Sequence, residues 1–135
     1  MNAYELNFAD FCWQNDEGRV PDASGVYCVY SCSANGSRQV VDRLLYIGHS
    51  LSLRTSLQEH TRSQDLNRQD EVGKRLFYSY ATADAGLVEP CASAMVLHFH
   101  PPYNDTGTVM LASRGETQVS VMGAWAFRIR GVFVE

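Results

Sequence analysis

Positive charge is scarce in this chain. Eleven Lys and Arg residues stand against fifteen Asp and Glu, which leaves a net charge of −4 at pH 7 over 135 residues. Bulk electrostatic clamping of nucleic acid depends on many Lys and Arg releasing counterions, so that mode is excluded and any phosphate contact is local. Cysteine is sparse too. Cys12, Cys28, Cys32 and Cys91 form no C-x-x-C pair and no zinc-ligand spacing, and four thiols at this length do not make a disulfide scaffold. They read as buried, reduced thiols. No apolar run approaches the roughly 18 residues a membrane span needs. The opening MNAYELNFADF lacks both a basic n-region and an apolar h-region. A soluble, cytoplasmic chain with no membrane partner is expected. There is no internal repeat, low-complexity tract or proline-rich linker. GRVPDASG is no phosphate-binding loop, because its glycines do not match and no lysine follows.

What is present is globular. Hydrophobic residues make up 45 %, charged residues 19 % and aromatics 11 %, a composition that folds rather than staying disordered. A chain of this length forms one domain, 1–135, and buries roughly two-thirds of the surface its unfolded form exposes. The basic residues it has gather from Arg54 to Arg75, with Arg62, Arg68 and Lys74 between. That is either a solvated helical face or a local phosphate contact.

Periodicity sets the elements. GVYCVYSC and RQVVDRLLYIG are rich in β-branched and aromatic residues and flank Asn35-Gly36, which predicts an antiparallel hairpin. From Ser50 to Arg62, Leu53 and Leu57 lie four apart and Ser50 or Ser52 can cap the start, so the segment reads as an amphipathic helix. KRLFYSYATA fits a third strand. DAGLVEPCASAMVLHFH fits a second helix stopped by Pro101-Pro102, and Pro90 is tolerated only in the first turn, which moves the start later than Asp84. TVMLAS and TQVSVMGAWAFRIRGVFVE, joined by RGET, predict a C-terminal β-hairpin or edge strand over 105–135, with Trp125 and Phe127 as packing groups. FADFCWQNDEG is read as a short helix on the sheet.

GVY at Gly25–Tyr27 and YIG at Tyr46–Gly48 resemble the paired tripeptides of the GIY-YIG nuclease superfamily. His60 lies twelve residues after Gly48, Glu89 stands near the start of the second helix, and HPPYN ends it with Asn104, fifteen residues on. The order strand, strand, helix, strand, helix agrees, and the resemblance covers about residues 25–104. It implies an α+β fold, a three-stranded antiparallel sheet flanked by helices. It also implies a metal-dependent endonuclease acting on DNA, with Mg²⁺ or Mn²⁺ at Glu89. In that reading Tyr27 is a base or water-orienting group with Tyr46 beside it, and His60 faces the phosphate. Gly48, Ser56 and Asn104 serve as substrate contact or support.

The family's arginine, eight residues after the YIG glycine, is here Ser56. Arg54 is the nearest substitute cation, yet two residues along a helix turn a side chain by about 200°. Ser56 and His60, four apart, share a face. Two expectations follow: a nuclease whose cation comes from elsewhere, a protein partner included, or a catalytically degenerate domain that binds nucleic acid or protein. Each residue also has an ordinary role open to it. Tyr27 and Tyr46 can be cross-strand packing, Glu89 a favourable first-turn carboxylate, and Asn104 a turn former. His98 and His100 stand two apart on a helix, where they point away from each other and make a poor zinc pair.

Overall fold

Strands here are set by runs that alternate between two apolar surfaces, and helices by apolar residues four apart. The computed structural model describes residues 2–8, 10–13, 16–35, 38–63, 74–104, 117–123 and 131–134. In chain order the elements are β1 (Asn2–Phe8), β2 (Asp10–Trp13), a 3-10 helix (Glu17–Arg19), β3 (Gly25–Asn35), β4 (Arg38–Ser50) and α1 (Leu53–Ser63). They continue with β5 (Lys74–Thr82), α2 (Val88–Phe99), β6 (Thr117–Gly123) and β7 (Gly131–Val134).

The expected antiparallel core is present. β3 pairs with β4 from Gly25↔Ser50 to Asn35↔Arg38, and with β5 on its other side from Gly25↔Thr82 to Ser33↔Lys74. Gly36 of the expected Asn35-Gly36 turn lies outside the described residues. The N-terminal helix expected in FADFCWQNDEG is not formed. Asp10–Trp13 instead pairs antiparallel with β5, making the sheet four-stranded in the order β2-β5-β3-β4, and among the described residues of this stretch helix begins at Glu17, in the 3-10 turn Glu17–Arg19. An aromatic-containing run beside an open strand edge gains more from ladder hydrogen bonds than from an isolated short helix.

Alternation along the sheet makes two cores. Val26, Cys28, Tyr30, Ile47 and Ala81 face α2, whose Val88, Cys91, Ala92, Met95 and Val96 are buried against them. Tyr27, Val29, Leu45, Leu76 and Tyr78 face the other way and pack with Leu53 and Leu57 of α1. A register shift pairs Val29 with Tyr46 and Tyr30 with Leu44, so Leu45 is an extra residue on β4. This bulge turns Leu45 to the same side as its neighbour Tyr46.

α1 begins at Leu53, where Ser52 Oγ accepts the Thr55 N–H at 3.4 Å. Of the two expected caps, Ser52 is the one used. α2 starts at Val88, later than Asp84 as Pro90 requires, and ends at His100 in the left-handed conformation (φ 50°) before Pro101.

The C-terminal strands pair antiparallel, from Gln118↔Val134 to Val121↔Gly131, and β6 pairs parallel with β1. The result is a second sheet, β1-β6-β7, rather than an edge of the first. Leu6, Phe8 and Val119 carry it onto the α2 core. TVMLAS, Trp125 and Phe127 lie outside the described residues. Among the described residues the protein is thus α+β, with a three-stranded antiparallel core and two α-helices. Among the described residues no helix is long and apolar enough to cross a membrane.

Candidate active site

Two glycines make the site possible. Opposite each other in the β3–β4 ladder stand Tyr27 and Gly48. A Cβ at Gly48 would overlap Cζ and Oη of Tyr27 and lie 2.8 Å from Cε1, so the ring lies across the bare backbone of β4. At Gly25 a Cβ would overlap the Ala81 carbonyl oxygen and stand 2.7 Å from Cδ1 of Leu53. That glycine lets β3 meet β5 and the first turn of α1 together. Close approach, rather than a turn, is what both tripeptides need glycine for.

The Tyr27 hydroxyl lies 2.7 Å from Nε2 of His60, one turn beyond Ser56 on α1. Tyr46 completes a three-ring cluster. Its centroid is 6.0 Å from that of Tyr27 and 5.3 Å from that of His60, while Tyr27 and His60 meet edge-on at 5.4 Å. Tyr27 is buried, with 4 % of its surface exposed; Tyr46 and His60 are half-buried. Burial, and then the Tyr46 phenol beside it, pushes the Tyr27 hydroxyl well above the ordinary tyrosine range, with exposed Glu59 adding to the effect. Tyr27 therefore keeps its proton at neutral pH, and Nε2 of His60 is the hydrogen-bonding partner within its reach.

The expected cations are arranged differently. Ser56 Oγ donates to Ser50 Oγ at 2.6 Å, and Ser50 Oγ in turn donates to the Ser52 carbonyl at 2.7 Å and accepts the Ser52 N–H at 2.9 Å. Asp22 accepts a hydrogen bond from Ser52 Oγ at the same helix start. Hydroxyls and a carboxylate thus occupy the end of α1. Arg54 Nε donates to the Val20 carbonyl at 2.8 Å, on the side facing the 3-10 helix.

Asn104 is a structural latch. Its side chain accepts the Ile47 N–H at 2.9 Å and donates to the Ile47 carbonyl at 2.8 Å, while the Tyr103 N–H reaches the Leu45 carbonyl at 3.1 Å. An amide pairing both ways with one residue acts as a one-residue strand along the outer edge of β4, between Tyr46 and Gly48.

Glu89 is exposed in the first turn of α2. α2 covers the opposite face, yet it starts at the sheet end where β3 begins and β4 finishes, because Thr82 pairs with Gly25. Among the described residues no three His, Cys, Asp or Glu side chains gather as a ready-made metal site, and the exposed His98 meets the Phe99 ring edge-on at 4.8 Å. Tyr27, Tyr46, Gly48 and His60 are brought together; Arg54 and Glu89 are not part of that contact group. Glu59 belongs to its surroundings and has no motif of its own in the sequence, while Ser50, a candidate cap there, instead holds Ser56. The signal for Glu59 was its place beside His60 on a short helix.

Comparison with protein-family models gave no match, and comparisons with curated proteins and with solved structures gave none either.

Proposed function

We propose that the chain is a metal-dependent endonuclease that hydrolyses phosphodiester bonds in DNA on a GIY-YIG-like domain. The observation that supports this most is the buried Tyr27 hydroxyl held 2.7 Å from Nε2 of His60 with Tyr46 against both rings. A strand phenol and a helix imidazole in contact can move one proton along a defined line. Tyr27 orients the attacking water and takes its proton as its own passes to Nε2, so the charge rests on the half-exposed imidazolium and no buried phenolate persists. Glu89 would hold Mg²⁺ or Mn²⁺. One exposed carboxylate suits an ion that keeps waters and is completed by substrate phosphate. When bound, such an ion neutralises phosphoryl charge and stabilises the leaving alkoxide. DNA contact is local, as the net charge of −4 requires.

A second reading rests on a specific observation. Ser56 is fastened to Ser50 where the resemblance implies an arginine, and Arg54 Nε is bonded to Val20. Removing one preorganised charge from a transition-state site costs about 2.7–4 kcal/mol, or 10²- to 10³-fold in rate, by analogy with oxyanion holes. A degenerate domain that binds nucleic acid or protein fits this, as does a subunit whose partner supplies the cation.

Nicking of supercoiled plasmid with Mg²⁺ and with Mn²⁺ separates the readings. For the nuclease, wild type nicks and Glu89→Ala does not. For the degenerate domain, wild type is silent and calorimetry shows no metal uptake that Glu89→Ala removes. Activity gained in Ser56→Arg assigns the silence to the missing charge.

A further inference from the structure

α1 carries a polar residue where its apolar stripe asks for a third leucine. Leu53, Leu57 and position 61 recur every four residues. The first two are fully buried, and the third is Thr61. Its hydroxyl is not idle. Thr61 Oγ1 donates to Glu17 of the 3-10 helix and lies 2.7 Å from the Tyr78 hydroxyl on β5. Glu17 is 5 % exposed and Tyr78 fully buried, with Thr61 half-buried between them, so this polar chain runs into the α1 core from its edge. Seven residues earlier, two turns along the same face of α1, Arg54 Nε holds the Val20 carbonyl at 2.8 Å. Val20 lies three residues after Glu17, one turn of a 3-10 helix. Segment 17–20 therefore lies along α1 and is tied to it at both ends.

We infer that Glu17, Thr61 and Tyr78 are positioning residues that fix the rotation of α1 and so hold His60 against Tyr27. A stripe of two leucines tolerates rolling, because apolar contact is non-directional. Hydrogen bonds are not so tolerant. With side chains about 5–6 Å from the helix axis, a roll of about 20° sweeps a side-chain tip by about 2 Å. That is enough to part His60 from a hydroxyl 2.7 Å away. His60 immediately precedes Thr61, so the anchor acts at the residue beside the one it positions. The segment that supplies it, 17–20, precedes the stretch that carries the tripeptides. The functional meaning of the inference rests on the proposed role of the Tyr27–His60 pair, but its structural content does not.

The test uses the full chain with ¹⁵N-labelled histidine and reads the His60 imidazole nitrogens by NMR. Tyr27→Phe, which removes only the hydroxyl His60 meets, defines the signals of the broken pair. Thr61→Val removes one hydroxyl that touches neither ring. Tyr78→Phe removes the Thr61 partner from the β5 side, so a failure of either variant to fold leaves the other. The expected result is that Thr61→Val and Tyr78→Phe move the His60 signals most of the way to those of Tyr27→Phe. Thr61→Ser restores wild-type signals, and adding Thr61→Val to Tyr27→Phe changes little. Folded Thr61→Val and Tyr78→Phe proteins with wild-type His60 signals would overturn the inference. The readout needs no turnover. A chain that fails to nick DNA yet shows these shifts keeps the anchor and loses only the nuclease reading.

Discussion

Tyr27 lies across the face of Gly48, and Gly48→Ala consequently forces a large ring to move rather than a flexible tip to bend. Overpacking of this kind costs about 1–3 kcal/mol. The expected outcome is a folded but less stable protein in which the His60 signals resemble those of Tyr27→Phe, checked by urea unfolding and NMR. Ionisation gives a second prediction at this scale. Burial raises the Tyr27 and Cys28 groups far above their ordinary values and pushes the Cys91 thiol from 9.0 up to about 11. These groups stay neutral in the folded protein at a pH where they ionise in the unfolded chain. Their contribution to stability is full below the unfolded values and falls as pH rises through about 9 to 11 and beyond. Unfolding free energy should thus decline steadily above pH 9, and the decline should be shallower in Tyr27→Phe and Cys91→Ala. A flat profile would contradict the burial of these groups. At this scale the spacing of the tripeptides and His60 was enough to find the three-ring cluster. The tie from Arg54 to Val20 was not legible, because 34 residues separate them and no local pattern encodes a side chain meeting a remote carbonyl.

Among elements, α1 depends on two leucines and on polar ties at Arg54, Ser56 and Thr61. Leu57 is fully buried, and Leu57→Ala should cost about 2–5 kcal/mol by the usual cavity and transfer terms, measured as a fall in the denaturation midpoint. β4 depends on its latch. Asn104→Ala leaves the Ile47 N–H and C=O without their partner, for a loss of about 1–3 kcal/mol. Faster amide exchange should appear at Ile47 and not in β5. The helix was readable because Leu53 and Leu57 announce their own period. The strand β2 was not: Asp10–Trp13 is four residues long, too short for alternation to outweigh a helical reading, and its pairing with β5 is decided by an edge some seventy residues away. Asn104 was found by its spacing from Glu89. The geometry makes it a support for the strand that carries Tyr46.

For the whole molecule, the sheet divides two tasks. The α2 face, backed by β1 and β6, is mostly apolar and holds the buried Tyr30–Ser79 hydroxyl pair at 3.0 Å. The α1 face holds Tyr27, Tyr46 and Tyr78, together with His60 and the buried Glu17. Periodicity predicted both helices and three strands, but a parallel pair such as β1–β6 joins the two ends of the chain, and no local signal specifies contact at that separation. The proposed chemistry belongs entirely to the α1 face and to whatever Glu89 adds at its end. The most direct measurement is plasmid nicking with Mn²⁺ by wild type and by Tyr27→Phe, which keeps the buried ring and removes one oxygen. Wild type is expected to nick, and Tyr27→Phe, folded to the same degree, to lose nearly all of that activity. Equal activity in the two proteins would contradict the assignment of the reaction to the Tyr27–His60 pair.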